Sequence, residues 1–272
     1  MRTRKQLGQH FLTDPGILAR IADAAEIGAG DTVIEIGPGP GGLTRELARR
    51  ARRVVAIEKD RALAEALEGR WPHVTIVHAD ALALNWHAAA GVPRRAAGPV
   101  ATYRIVGNIP YNITSPLLDK ALIPPRPALI AFLVQREVAE RVSAAPGSRA
   151  YGALSVGVQA VASVERVFRV SAGAFTPPPQ VDSTLLKLTP LGRPLIADSD
   201  VAGFRRLVVG LFGFRRKQLL RGLRELTGWP AERAAATLVD AGLDAAARPE
   251  TVAPAAFVAL HRALVDGGWS GG

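Results

Sequence analysis

Residues 108–111 read Asn-Ile-Pro-Tyr and close an apolar run that begins at Tyr103. They bring together a neutral side-chain amide, free backbone carbonyls and an aromatic face. An exocyclic amine on a nucleobase is a poor nucleophile, because its lone pair is delocalised into the ring. If Asn108 Oδ1 and the carbonyl of Ile109 accept its two N–H bonds, the nitrogen is drawn toward a tetrahedral shape. Its lone pair then turns outward, toward a methyl donor. Such chemistry rests on positioning and electrostatic stabilisation and needs no strong base. Tyr111 offers a face on which a flipped-out base can stack. The competing reading of these four residues is an Asn-x-Pro turn that ends a strand, so the neighbouring motifs have to decide.

The elements that must hold these groups follow from the apolar pattern. Short runs at Thr32–Ile36, Arg53–Ile57, Val74–Val77, Tyr103–Val106, Ala128–Val134, Ser155–Val161 and Thr184–Leu188 read as strands. Helical stretches such as 42–50 and 61–70 fall between the first of them. Strand–helix alternation with continuously apolar strands predicts a doubly wound α/β domain, a parallel sheet covered on both faces. Ser155–Val170 and Thr184–Leu188 have no helix of ordinary length between them, so that end of the sheet is expected to carry an antiparallel pair. Residues 189–194, Thr-Pro-Leu-Gly-Arg-Pro, read as a linker. Beyond it the pattern is helical only, with runs at Phe204–Phe212, Lys217–Leu226, Pro230–Ala241 and Pro254–Val265. Gly228 and Pro230 bracket one break as a helix stop and a helix first-turn residue. The Ala/Arg/Pro-rich stretch 87–100 reads as an exposed insertion.

Gly37-Pro-Gly-Pro-Gly-Gly42 follows the first of these strands and opens a helix. It satisfies G-x-G-x-x-G, and Glu58 lies about twenty residues on, where a ribose-binding acid would sit. A dinucleotide dehydrogenase is therefore a serious alternative. Three features favour S-adenosylmethionine instead. Pro38 and Pro40 lack N–H groups, which weakens the loop as a pyrophosphate cradle. Asp80 ends the third strand, where an acceptor for an adenine amine is useful. Glu35 puts negative charge beside the loop, which suits a sulfonium better than a phosphate. Taken singly, Glu58 and Asp80 could each be a solvated strand-end carboxylate; at successive strand ends they favour a cofactor.

Composition narrows the class. The 272 residues carry a formal charge of +10, are 48% apolar and 21% charged, and include no cysteine. A chain of this kind is globular and suits a polyanionic partner. Disulfides and thiolate catalysis are excluded. No apolar stretch reaches the length of a membrane span and the first residues lack a signal-peptide core, so a soluble, cytoplasmic protein is expected. The five histidines, at 10, 73, 78, 87 and 261, show no ligand spacing with carboxylates, and no metal is expected.

In their order along the chain the motifs resemble the ribosomal RNA adenine N6-dimethyltransferase family, in its KsgA-type bacterial branch. They are Gly8-Gln-His-Phe-Leu12, Glu35–Thr44, Glu58-Lys-Asp60, Asp80-Ala81, Asn108-Ile-Pro-Tyr-Asn112, Gln135–Arg141, Pro146–Gly152, Phe175–Ser183 and Phe214-Arg-Arg-Lys-Gln218. The resemblance implies a Rossmann-like S-adenosylmethionine-dependent methyltransferase sheet in residues 1–190 and a small, all-helical, RNA-binding domain in 191–272. It implies that His10 and Leu12 contact the methyl donor, partly through backbone groups, and that Gly37 lies against its methionine part. Glu58 would hold the ribose hydroxyls, Asp80 the adenine amine, and Asn108 would close the site beside the methyl. Tyr111 and Phe175 would sandwich the target adenine, with the prolines that follow Phe175 stiffening its loop. Otherwise Phe175 is a core anchor and His10 a surface histidine.

The implied partner is 16S rRNA within the immature small ribosomal subunit, modified at N6 of two adjacent adenosines near its 3′ end by a monomeric enzyme. The related erythromycin-resistance branch, which modifies large-subunit rRNA, is the alternative; a ribosome-assembly binding factor with secondary catalysis is another. Between Arg205 and Arg224 there are seven basic residues and no acidic one. Arg215, Arg216, Lys217 and Arg221 are the expected RNA contacts, unless the run is a solvated helix face.

Overall fold

A computed structural model describes residues 10–92 and 103–271. They divide into two compact units. One takes in the residues up to Ala139 together with Val164–Pro190; the other takes in Glu140–Ser163 and the residues from Leu191 onward. Residues 140–163, which the sequence reading puts in a 1–190 domain, thus cluster with the C-terminal helices.

The first unit is built on nine strands: β1 Phe11–Leu12, β2 Thr32–Ile36, β3 Arg53–Glu58, β4 Val74–His78, β5 Tyr103–Asn108, β6 Leu129–Gln135, β7 Ala162–Val170, β8 Phe175–Thr176 and β9 Ser183–Pro190. Seven of them form one sheet in the order β4-β3-β2-β5-β6-β9-β7. Pairing is parallel from β4 through β6. β9 is antiparallel to β6, from Ile130↔Leu188 to Gln135↔Ser183. Every residue of β2 is buried, and so are all but the first of β3 and all but the last of β6. Such strands read as unbroken apolar runs because helices cover both faces. Residues Val33, Val54, Val106, Leu129 and Leu133 meet Leu18, Ile21, Leu43 and Leu47 in one core cluster.

β2 sits between β3 and β5, so the chain winds outward from it in both directions. The crevice at the carboxyl ends of strands at such a reversal is where open α/β sheets bind ligands. Gly107 makes the close pairing there possible, since a Cβ on it would lie 2.6 Å from the Ile36 carbonyl oxygen.

Two of the departures from the sequence reading bear on the helices. Helix Pro15–Ala24 was not expected; Asp14 caps it by accepting from Ile17 N–H at 2.9 Å, and Pro15 is preorganised for its first turn. The run Ser155–Val161, expected as a strand, is helix Ala153–Gln159, and the strand begins only at Ala162. A seven-residue apolar run fits either period. Polar contacts decide it: Gly152 N–H donates to Ser155 Oγ, the Ser155 hydroxyl donates to the Arg141 carbonyl, and Gln159 Nε2 donates to the carbonyls of Val142 and Ala144.

The second unit packs helices Val201–Gly213, Leu219–Thr227, Ala231–Asp240 and Pro254–Asp266 with Ala153–Gln159. Phe204, Leu211, Leu223, Leu238, Phe257 and Leu264 are buried among them. Gly228 ends its helix in the left-handed region, at φ +71. Pro230 precedes the next helix as its cap, one place earlier than expected. Part of the expected insertion, residues 93–100, lies outside the described residues.

Candidate active site

A cleft opens at the carboxyl ends of β2 to β5. Ile36, Gly37 and Gly39 come from the end of β2 and the loop after it, Ile57, Glu58 and Lys59 from β3, Ala79, Asp80 and Ala81 from the turn after β4. Asn108 ends β5, Ile109 to Ile113 follow it, and His10 and Phe11 close the cleft from the N-terminal side. Of the expected site residues, the structure gathers His10, Gly37, Glu58, Asp80, Asn108 and Tyr111 here.

The glycine loop is internally satisfied. Gly37 N–H donates to the Ile57 carbonyl, Gly39 N–H to Glu58 Oε2 at 3.1 Å, and Gly41 N–H to the Pro38 carbonyl. Pro38 and Pro40 have no N–H to offer, so the loop cannot present the row of free donors that a pyrophosphate needs. Gly39 sits at φ +56 with its Cα against Phe11; a Cβ there would lie 3.0 Å from the ring. The loop therefore suits a phosphate-free ligand, and two carboxylates, Glu58 and Asp80, line the cleft.

Glu58 is buried and held at both oxygens, with Oε1 accepting from Asp60 N–H at 2.8 Å. Burial raises its pKa, and the N–H groups of Asp60 and Gly39 oppose the rise. Asp60 in turn caps helix Arg61–Leu67 by accepting from Ala62 and Leu63 N–H. The Glu-Lys-Asp motif thus fixes a strand end, a loop and a helix start at once, and each Glu58 oxygen keeps a lone pair for a ligand hydroxyl. Asp80 accepts from Leu82 N–H and pairs with Lys59 Nζ, both at 2.8 Å. That lysine, then the Leu82 N–H, lowers its pKa, so Asp80 is a charged acceptor at neutral pH. The sequence reading did not single out Lys59, though the motif contains it.

Glu35 overturns one expectation. It is 1% exposed, and neither carboxyl oxygen meets a hydrogen-bond partner among the described residues. Loss of hydration pushes its pKa up to about 8; the dipole of the neighbouring Thr44 hydroxyl, outside hydrogen-bonding geometry, offsets this in part and the charge of Glu58 adds to it. Glu35 is therefore mostly protonated at neutral pH and supplies no full negative charge beside the loop. The folded protein binds this proton more tightly than the unfolded chain, for which the ordinary value is 4.5. Stability from this group is complete below pH 4.5 and is lost as pH rises toward 8. Glu35→Gln should remove that slope, leaving the variant more stable than the parent at pH 8.5 by a few kcal/mol. Chemical denaturation at pH 6 and 8.5 measures it; parallel pH slopes for the two proteins would contradict the assignment.

Asn108 is half-buried, and its Nδ2 donates to the His10 carbonyl at 2.9 Å. Only the nitrogen end of an amide can meet a carbonyl, so the contact turns Oδ1 away, free to accept. The next N–H, of Ile109, continues the sheet by donating to Leu133. Tyr111 begins a short 3-10 turn, and its hydroxyl is 2.9 Å from Ser183 Oγ.

The side chains of Phe175 and Leu12 fall elsewhere. They face each other in the antiparallel pair β1–β8, and both side chains lie in the core cluster, Phe175 at 3% exposure. The ring against Tyr111 is that of His10, with centroids 5.4 Å apart. Arg216 and Arg221 are exposed, whereas Arg215 pairs with Glu250 and donates to the Arg149 carbonyl, and Lys217 lies 5.0 Å from the centre of the Phe214 ring. No group of three His, Asp or Glu side chains among the described residues could hold a metal ion.

The chain matches known proteins over most of its length. The model of a family described as ribosomal RNA adenine dimethylase matches residues 1–260. The ribosomal RNA small subunit methyltransferase A of Phenylobacterium zucineum is 44% identical over 263 residues, covering 94% of this chain and 86% of that protein. Its counterpart in Moorella thermoacetica is 43% identical, covering 96% and 92%. Among solved structures, a dimethyladenosine transferase from Plasmodium falciparum superposes with a TM-score of 0.80 at 26% identity, covering 95% of this chain and 98% of its own. The 23S rRNA methyltransferase ErmE superposes at 0.67 and 30% identity, covering 94% and 99%.

Proposed function

The chain belongs to the ribosomal RNA adenine dimethylase family, and we propose that it methylates N6 of two adjacent adenosines near the 3′ end of small-subunit (16S) rRNA, giving N6,N6-dimethyladenosines, within the immature small ribosomal subunit. It is an S-adenosylmethionine-dependent methyltransferase of Rossmann-like fold. The observation that carries the reading is the orientation of the Asn108 amide, with its nitrogen engaged and its oxygen left to accept.

S-adenosylmethionine, when bound, supplies a methyl carbon made electrophilic by the sulfonium. This chain's residues do the rest. Glu58 accepts from the ribose hydroxyls and Asp80 from the adenine amine, each with an oxygen already oriented by backbone N–H groups. The glycine loop lets the aliphatic tail approach the backbone. Asn108 Oδ1 and the Ile109 carbonyl accept from the two N–H bonds of the target amine, localising its lone pair. Tyr111 stacks on the base and holds it near the reacting carbon. The amine becomes acidic as its new bond forms, so its proton passes readily to these acceptors and to water.

Incubation with labelled S-adenosylmethionine and immature small subunits from a strain lacking the modification tests the reading. The expected product after digestion is N6,N6-dimethyladenosine. Labelling of large-subunit RNA instead would favour the erythromycin-resistance type.

The second unit is proposed to hold the RNA. Arg205 and Arg206 project from helix Val201–Gly213, Arg221 and Arg224 from helix Leu219–Thr227, and Arg216 lies between; all five are exposed. Arg216→Glu with Arg221→Glu should weaken binding of immature small subunits and lower the salt slope by about one per lost phosphate contact, with donor binding unchanged. Arg215 is a poor choice for this test, because its pair with Glu250 makes it part of the scaffold. Equal affinity for parent and double variant at low and high salt would reduce the patch to a solvated face.

A further inference from the structure

His10 makes contacts that converge on the two residues assigned to the acceptor base. Its imidazole stacks on the Tyr111 ring, with centroids 5.4 Å apart and planes 25° from parallel. Its Nδ1 is 2.8 Å from the Pro177 carbonyl oxygen, to which the Nδ1–H tautomer donates. Its own carbonyl accepts from Asn108 Nδ2. Tyr111 is therefore held at its hydroxyl by Ser183 and on one face by His10, while it still lines the cleft. A base cannot lie between the two rings, because two stacking intervals need about 7 Å.

We propose that His10 is a positioning residue for the acceptor base, its ring backing Tyr111 and so fixing the plane on which the base stacks. The inference rests on the roles given above to Asn108 and Tyr111, and gives the His10 ring a role on the acceptor side, beside the donor contact that the resemblance implies for its backbone. The physical reason is preorganisation. A phenol ring anchored only at its two ends can tilt about its own axis, and stacking on a tilting ring loses part of its benefit to ordering. A second ring, itself pinned through Nδ1, removes that freedom before the base arrives. The competing possibility is that the imidazole sits where the base should stack and has to leave, in which case its removal helps the acceptor.

His10→Ala separates the two with opposite signs. Alanine keeps the backbone carbonyl, so the pin on Asn108 survives and the change reports the ring alone. With immature small subunits as substrate, kcat should fall roughly 5- to 100-fold, the loss of one stacking contact. KM for S-adenosylmethionine and the Kd of S-adenosylhomocysteine by calorimetry should stay within about threefold. His10→Phe keeps a flat ring and should recover most of the loss. A second readout does not need turnover: single-stranded RNA carrying 2-aminopurine should be quenched by the parent, less by His10→Ala, and again by His10→Phe. Unchanged or higher turnover in His10→Ala, a donor affinity that falls as far as kcat, or a Phe variant no better than Ala overturns the proposal. A parent that leaves small subunits unmethylated defeats the functional reading instead, and the quenching series still decides the role of His10.

Discussion

Asn108→Ala is expected to lower methyl transfer by at least about 10²–10³-fold while the Kd for S-adenosylmethionine moves by less than about tenfold. The amide is the side-chain acceptor proposed for the target amine, beside the Ile109 carbonyl, and its effect belongs to the transition state rather than to donor binding. Asn108→Asp should fail as well, for a different reason. A carboxylate has no hydrogen to give the His10 carbonyl, so the contact that sets the side chain's orientation becomes repulsive. Single-turnover transfer measured beside titration calorimetry checks both. Turnover retained in Asn108→Ala would remove the residue from the chemistry.

Glu58→Ala is the second large effect, and it falls on the donor. Its carboxylate is proposed to take the ribose hydroxyls, and it already ties Gly39 and Asp60 N–H to the end of β3. Removing it deletes the ligand contact and leaves two buried donors unpaired, so donor affinity should drop by about 1–3 kcal/mol, roughly 5- to 150-fold. The melting temperature should drop with it. Glu58→Gln should fall between, since the amide can accept at one end only. Calorimetry with S-adenosylmethionine resolves the order parent, Gln, Ala. NAD titrated into the same proteins should produce no binding heat. Tight NAD binding with indifference to S-adenosylmethionine would restore the dehydrogenase alternative.

Much of this was legible in the residues. Continuous apolar runs such as Leu129–Val134 have no polar face to show water, and alternating with helical stretches they read as buried parallel strands. Strand-end acids at Glu58 and Asp80, and the amide that ends β5, then fall at the carboxyl ends of adjoining parallel strands by topology alone. Short segments were less legible. Ser155–Val161 fits either period, and the contacts of Ser155 and Gln159 with residues 141–144 make it a helix.

Tertiary structure alone decided the charge state of Glu35 and the neighbours of Tyr111. A glutamate in sequence is an anion; desolvation at 1% exposure makes this one mostly neutral at pH 7, and burial depth is not a property of a residue type. The ring beside Tyr111 is that of His10 and not of Phe175 for a related reason. The pairing of Leu12 with Phe175 in β1–β8 joins segments more than 160 residues apart and sends the phenylalanine into the core, which leaves the imidazole beside Tyr111. Residue types and spacing determined which chemistry the chain can carry out; long-range pairing decided which ring stands where and which acid bears charge.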